Sequence, residues 1–195
     1  MTETRAVGIF IFDEVEVLDF CGPFEVFSVA ARQDADPFRV FTIAERRDPI
    51  RTRGGLIVTP HHAFEDAPPI DLLLVPGGMG TRALIDHAPV IDWIRRAAEH
   101  AELVLSVCTG ALLLAKAGLL TNLSATTHHG SIDRLRELAP DTRVVADERY
   151  VDNGRVVTSA GISAGIDMSL HIVARLVGDE AAAATARQME YRWSP

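Results

Sequence analysis

The chain has 195 residues, of which 48% are hydrophobic, and this composition is typical of one folded domain with a substantial core. No charge block, repeat or low-complexity stretch interrupts it, which excludes an intrinsically disordered protein. The 27 Asp and Glu residues outnumber the 19 Lys and Arg residues, and the resulting formal net charge of −8 argues against a nucleic-acid partner.

Apolar runs and segments with helical spacing alternate along the chain. In chain order, the first part predicts a strand over residues 6–12, a helix over 18–32, strands over 38–44, 56–59 and 72–75, and a helix over 89–101. The second part predicts a strand over 103–107, a helix over 109–115, a strand over 125–127, a helix over 132–139, a hairpin of 143–151 and 155–159, and helices over 164–177 and 180–191. Uninterrupted apolar strands separated by helices indicate an α/β fold with a mostly parallel sheet covered on both faces.

Five loops are predicted to lie together at one rim of this sheet. Open parallel sheets bind ligands beyond the carboxyl ends of their strands, where the loops that lead into helices gather. The loops are residues 13–22, 76–80, 108–110, 126–130 and 159–163. The sequence therefore predicts one pocket for a small-molecule substrate at this rim.

Cys108 marks the sharpest change of pattern, because the apolar strand 103–107 gives way there to a helix-forming run. A residue at such a corner is usually exposed on a strained turn, and the N-terminus of the following helix favours a thiolate over a thiol. This pattern favours a catalytic nucleophile. The alternative is a small buried hydrophobic residue at the end of a core strand.

The other residues with chemical potential also lie in these loops. Asp19 follows two apolar residues near a helix start; it either caps the helix or faces the pocket, where burial raises its pKa and makes it a proton donor. Glu25 is a weaker candidate for the same role. His128 and His129 are candidates for a Cys–His pair, with hydrogen-bonded structural histidines as the alternative.

Gly77 and Gly78 follow the predicted strand 72–75 and permit a close approach of backbone to substrate. Their N–H groups are expected to stabilise negative charge on a substrate atom attached to Cys108. The alternative is a turn in which glycine is merely tolerated.

No segment of the sequence has the pattern of a targeting signal or a membrane span. The first residues lack a signal-peptide pattern, and no apolar run reaches the roughly 20 residues that cross a bilayer. We therefore expect a cytoplasmic protein without a membrane partner. In a reducing compartment its two cysteines, Cys21 and Cys108, are expected to be free thiols.

Four ordered motifs together resemble the ThiJ/PfpI superfamily, and the resemblance covers essentially the whole chain, 1–195, as a single domain. The motifs are LDFCGPFEVF at 18–27, VPGG at 75–78, SVCTG at 106–110 and SAGISAGID at 159–167. Within the superfamily, the chain is most similar to the isonitrile hydratases and to the related glutamine amidotransferase-like sensor domains of AraC-type regulators. The motifs TTH at 126–128 and MEY at 189–191 strengthen the resemblance to the hydratases.

The resemblance implies a flavodoxin-like, three-layer α/β sandwich with a cysteine nucleophile elbow, usually assembled as a homodimer. It implies Cys108 as the nucleophile, Asp19 as its acid–base partner and an assisting Thr109. The residues that it places near the substrate are Gly77, Gly78, Gly110, Thr127, His128 and Ile162.

Departures from the superfamily pattern narrow the expected activity. Thr109 stands where the protease-like members carry histidine, and Ser106 stands where the amidotransferases carry glycine, so peptidase and glutaminase activities are not expected. The regulators read DNA with a separate C-terminal region, whereas only 17 residues follow Gly178 here, so a transcription regulator is not expected unless this sequence is a fragment of one.

The resemblance thus implies a lyase that hydrates an isonitrile to an N-substituted formamide through a thioimidate on Cys108. No metal or organic cofactor is expected. Two alternatives stay open: a glyoxalase-like hydration of reactive dicarbonyls, and a non-catalytic sensor of small molecules or of oxidation built on the same thiol.

Overall fold

A seven-stranded sheet organises the fold in the computed structural model, which describes residues 4–30 and 36–194. The elements of the first half are β1 (Arg5–Phe10), α1 (Val17–Ala30), β2 (Phe38–Ala44), β3 (Ile50–Arg51), β4 (Ile57–Val58), β5 (His62–Ala63), β6 (Leu72–Val75), α2 (Thr81–Leu84) and α3 (Ala88–His100). Those of the second half are β7 (Leu103–Val107), α4 (Gly110–Lys116), β8 (Ser124–Ala125), a 3₁₀ turn (His129–Ser131), α5 (Ile132–Leu138), β9 (Arg143–Val144), β10 (Tyr150–Asp152), β11 (Val156–Ser159), α6 (Ala164–Val177) and α7 (Asp179–Gln188).

The strand order in the main sheet is β10-β11-β7-β6-β1-β2-β5, and every neighbouring pair is parallel except β10 with β11. Helices α1, α6 and α7 pack on one another, and α4 packs with α2, α3 and α5 in a second group. The predicted α/β fold with a mostly parallel sheet is confirmed. In the described part of the chain, no helix is long and apolar enough to cross a membrane.

Burial on both faces explains why the central strands were predictable. The whole of β6, Leu72–Val75, and the whole of β7, Leu103–Val107, are buried; β6 is entirely apolar, and β7 departs from an apolar run only at Ser106. Aromatic side chains extend this core toward α3, where the ring of Trp93 stacks on that of Phe64 with centroids 4.1 Å apart.

The prediction was less accurate for the short strands, whose partners are distant in sequence. The predicted strand 143–151 is split, because Arg143–Val144 pairs with β8 in a separate sheet while only Tyr150–Asp152 pairs with β11. The strand predicted at 125–127 ends at Ala125. The one predicted at 56–59 pairs with β3 outside the main sheet. Residues 31 and 32 of the helix predicted over 18–32 lie outside the described residues.

Gly110 fixes how closely the loop after β7 approaches β6. A Cβ atom at this position would lie 2.0 Å from the carbonyl oxygen of Val75, so the start of α4 rests directly on the backbone of the neighbouring strand. Only glycine allows this approach, which brings the end of β7 and the loop after β6 together.

We expect Gly110→Ala to lower the free energy of unfolding by about 3 kcal/mol, because the Val75 carbonyl cannot move away without distorting a buried strand. Urea unfolding followed by circular dichroism measures the change. Gly54→Ala is the matched control, since a Cβ atom there meets nothing within 4 Å. An unchanged unfolding midpoint for Gly110→Ala would contradict the close packing.

Candidate active site

A pocket of about 270 Å³ opens at the carboxyl edge of the sheet, and all five loops predicted at this rim contribute to its lining. Their contributions are Glu16, Gly78, Cys108, His128 and Ile162. The parallel order of β1, β6, β7 and β11 explains the convergence of four of these loops, since each strand delivers its following loop to the same edge. The fifth loop, 126–130, follows β8, which belongs to a separate sheet that contacts β10 and β11.

A larger cavity of about 510 Å³ lies at the carboxyl ends of β1 and β2. Its lining includes Phe10, Phe12 and Leu84, with the carboxylates of Asp13 and Glu45, and it contains none of the predicted nucleophile, acid or base residues. The smaller pocket is therefore the candidate active site.

The backbone of Cys108 is held in a left-handed conformation with φ of 56°. Its N–H donates to the carbonyl oxygens of Ser159 and Ala160, both at 3.2 Å. The Thr127 hydroxyl donates to its carbonyl oxygen at 2.7 Å. A non-glycine residue in this region costs on the order of 1–3 kcal/mol, so the neighbouring segments must hold it there. The sharp turn predicted at Cys108 is present, and Thr127 is a positioning residue for it.

The thiol of Cys108 differs from the expectation of an exposed, low-pKa group. The residue is only 6% exposed. Burial and the adjacent carboxylate of Asp19 raise the pKa of the Cys108 thiol to about 12, although N–H groups of Thr109 and Ile162 favour the thiolate. That expectation is wrong, because desolvation outweighs the stabilisation offered by the start of the seven-residue helix α4.

Asp19 is fully buried in the first turn of α1 and faces Cys108. Its Oδ2 accepts a hydrogen bond from the N–H of Gly77 at 3.0 Å. Its Oδ1 is buried and accepts no well-formed hydrogen bond from any described residue. The thiol of Cys108 is the side chain that interacts with this carboxyl group. Burial raises the pKa of Asp19 to about 7, against the opposing effects of the Cys108 and Gly77 hydrogen bonds. Glu25 is exposed and lines neither pocket.

Asp19 and Cys108 form one coupled acid. Because both are buried, the pair holds both protons below about pH 7 and carries a single negative charge above it. In the singly charged state the remaining proton lies on sulfur or on the carboxyl, and these two forms differ only by a short proton transfer. The pair can therefore present a thiolate beside a carboxylic acid without a second charge in the protein interior.

The N–H groups of Gly77 and Gly78 already donate to side chains of the protein, which corrects their predicted role. Gly77 N–H is bound to Asp19, and Gly78 N–H donates to Oγ1 of Thr109 at 2.9 Å. A Cβ atom on Gly77 would lie 2.5 Å from the Thr109 nitrogen. The glycine loop thus packs directly on the turn at Cys108 and positions Asp19 and Thr109. Gly110 also keeps this turn close to the loop, because it packs on the backbone of Val75.

His128 lines the pocket, but in the described ranges no hydrogen bond joins it to Cys108. Its Nδ1 accepts from the N–H of Gly130 at 3.1 Å, which leaves the proton of the neutral ring on Nε2. Burial lowers the pKa of His128, and the neighbouring His129 ring, 4.1 Å away, adds to this. His128 is therefore a neutral hydrogen-bond donor, and the geometry provides no Cys–His pair.

Three charged residues at the pocket were not singled out from the sequence. Glu16 and Arg53 form an ion pair at 3.3 Å, and Arg82 in α2 also lines the pocket. Arg53 reaches the site because its backbone N–H donates to the Val15 carbonyl oxygen at 3.0 Å, a contact that no local pattern reveals. Arg82 did have a signal, since it lies two residues beyond the glycine-rich loop 76–80.

Known proteins share both this fold and this sequence pattern. The sequence profile of the DJ-1/PfpI family matches residues 5–175. Isonitrile hydratase from Pseudomonas putida is 36% identical over 97% of the chain and 79% of its own length. The HTH-type transcriptional regulator CdhR of Pseudomonas aeruginosa is 30% identical over 88% of the chain, which spans 51% of that regulator.

Solved structures agree with this relationship. A ThiJ/PfpI family protein from Pseudomonas syringae is 27% identical and superimposes with a TM-score of 0.88, covering 100% of the chain and 78% of that protein. Drosophila melanogaster DJ-1beta is 19% identical and has the same fold, with a TM-score of 0.84 over 97% of the chain and 100% of its own.

We expect the rate of Cys108 alkylation by iodoacetamide to rise through about pH 7, because the pair loses its first proton there and gains access to the thiolate. Mass spectrometry of the Cys108 peptide measures the rate. Cys21 is an internal control, since burial raises the pKa of its thiol and no carboxyl among the described residues shares its proton. Asp19→Asn is expected to abolish the step near pH 7. A wild-type rate that stays flat until strongly alkaline pH would contradict the coupling.

We expect Asp19→Asn to stabilise the protein at pH 8 and to have no effect near pH 4. The folded pKa of about 7 exceeds the ordinary value of 3.8, so the folded state binds more protons between these values and wild-type stability falls as pH rises. The difference between the folded pKa and the ordinary pKa of Asp19 sets an upper limit of about 4 kcal/mol for the increase in the free energy of unfolding at pH 8.

Thermal unfolding of wild type and Asp19→Asn at both pH values measures this difference. The exposed Asp147→Asn serves as the control, because it removes one carboxylate without removing a buried charge. Equal melting temperatures of wild type and Asp19→Asn at pH 8 would contradict the cost assigned to burying the Asp19 charge.

Proposed function

The chain belongs to the DJ-1/PfpI family, and we propose that its Cys108–Asp19 pair hydrates an isonitrile to an N-substituted formamide. The observation that carries the proposal is the buried thiol and carboxyl that share one proton beside a small pocket. The 36% identity to an isonitrile hydratase over 97% of the chain supports the choice of substrate class.

The chemistry of an isonitrile, R–N≡C, suits such a pair. Its terminal carbon has a lone pair and is also electrophilic, so it takes up both a nucleophile and a proton. A thiolate and a carboxylic acid that face the same point in space supply both to one carbon. A nucleophile and an acid on opposite sides of the pocket would not serve this step.

In the first step the Cys108 sulfur bonds to the terminal carbon, and the Asp19 proton moves to the same carbon. The product is a thioimidate, R–N=CH–S–Cys108, beside an Asp19 carboxylate. The N–H groups of Thr109 and Ile162, which already point at the sulfur, stabilise the thiolate before attack.

In the second step the Asp19 carboxylate takes a proton from water while the hydroxyl adds to the CH carbon, and this proton then passes to nitrogen. Collapse of R–NH–CH(OH)–S–Cys108 breaks the C–S bond and returns the hydroxyl proton to Asp19. The products are R–NH–CHO and the starting thiolate beside a carboxylic acid. One water is consumed, and no oxidant or reductant is needed.

The surrounding residues position these groups. Gly77 holds one carboxyl oxygen of Asp19, which leaves the other free for the proton transfers. Thr127 holds the Cys108 carbonyl. His128, as a neutral donor on the pocket wall, is available to hydrogen-bond the adding water or the substrate nitrogen.

We expect Cys108→Ala to abolish formamide production, and Asp19→Asn to reduce kcat/KM by about 10²-fold or more, because the amide cannot exchange a proton at neutral pH. Proton NMR of the formyl group measures turnover of a small alkyl isonitrile, with methylglyoxal assayed in parallel. Cys21→Ser is the matched control, since this thiol packs against the core and does not line the pocket. Turnover by Cys108→Ala, or turnover of methylglyoxal alone by wild type, would overturn the proposal.

A further inference from the structure

Positive charges outnumber negative charges on the solvent side of the pocket. We call this region the mouth; it is formed by Glu16, Arg53 and Arg82. The Glu16 carboxylate is already paired with Arg53 at 3.3 Å. Arg82 is exposed and makes no ion pair with any residue in the ranges 4–30 and 36–194. The mouth therefore holds one uncompensated guanidinium group.

Arg53 and Arg82 both interact electrostatically with His128, on the wall of the pocket. After burial and the neighbouring His129, the positive charges of Arg53 and Arg82 each lower the pKa of His128, and Glu16 raises it. The two guanidinium groups thus lie within electrostatic range of a ring that lines the same wall as Cys108. His128 remains neutral and adds an N–H donor, so the wall and the mouth together offer donors and positive charge.

The negative charge of the site lies at the opposite end of the pocket from Arg82. The single negative charge of the Asp19–Cys108 pair is buried beneath the pocket, while the positive charge of Arg82 is at its opening. A substrate with a reactive group at one end and an anion at the other matches this separation. Arginine presents two parallel N–H donors to a carboxylate, a geometry that a neutral substituent cannot use.

We propose that the substrate is a small carboxylate-bearing molecule whose anionic group pairs with Arg82 at the mouth while its reacting carbon meets Cys108. The identity of the reacting carbon as an isonitrile carbon rests on the proposed function; the recognition of the carboxylate does not. The volume of about 270 Å³ limits the molecule to a short chain between the two groups.

Iodoacetate and iodoacetamide test the recognition without any turnover, because they alkylate the same sulfur and differ only in the charge of one end. The measured quantity is the ratio of their alkylation rates at Cys108, with iodoacetate in the numerator, at pH 8. We expect Arg82→Gln to lower this ratio by up to about fivefold, since an ion pair made by an exposed arginine contributes at most about 1 kcal/mol. Arg96→Gln removes an exposed arginine that does not line the pocket, and it is expected to leave the ratio unchanged.

A second measurement uses isocyanoacetate and isocyanoacetamide as a matched pair of substrates. Wild type is expected to have the higher kcat/KM for the carboxylate, and Arg82→Gln is expected to lose this preference. If neither compound is hydrated while the alkylation ratio still falls in Arg82→Gln, the hydratase function is wrong and the carboxylate recognition stands. An alkylation ratio that Arg82→Gln and Arg96→Gln leave equally unchanged overturns the recognition, whatever the outcome of the hydration assay.

Discussion

The hydrogen bond from the Gly77 N–H to Oδ2 of Asp19 is the contact on which the rest of the site depends. It joins the loop after β6 to the first turn of α1 and is possible only because Gly77 has no side chain between Asp19 and Thr109. By fixing one carboxyl oxygen, it leaves the other to the Cys108 thiol. The strained turn at Cys108 completes the arrangement from the neighbouring strand. Three segments distant in sequence thus bring one buried carboxyl and one buried thiol together.

This arrangement has an energetic cost that explains its chemistry. Burial disfavours a charge on either group, so the pair ionises only once near neutral pH and keeps a proton in reserve. The same burial makes the charged form of Asp19 destabilising, which is the usual relation between a reactive group and a stable fold. The reactive pair is buried, whereas the arginine that we propose to recognise the substrate carboxylate, Arg82, lies at the exposed mouth.

Much of the fold was predictable because its central strands are buried on both faces. Strands β6 and β7 have the predicted bounds, since buried runs of four and five residues flanked by turns leave few alternatives. The two-residue strands β8 and β9 were misjudged because they are defined by distant partners and not by their own pattern. The turn at Cys108 was predictable for a local reason: the change from strand to helix falls on that residue.

By itself, the sequence determined which residues end the parallel strands, and therefore which loops meet at one edge of the sheet. Only the tertiary structure decided their chemical state. Whether Cys108 is a thiol or a thiolate depends on desolvation by segments far along the chain, and here desolvation outweighs the helix N-terminus. Whether Gly77 and Gly78 donate to substrate depends on which acceptors already occupy their N–H groups. Arg53 joined the site through a backbone contact with the segment before α1. Such properties arise from through-space contacts, which a linear pattern does not record.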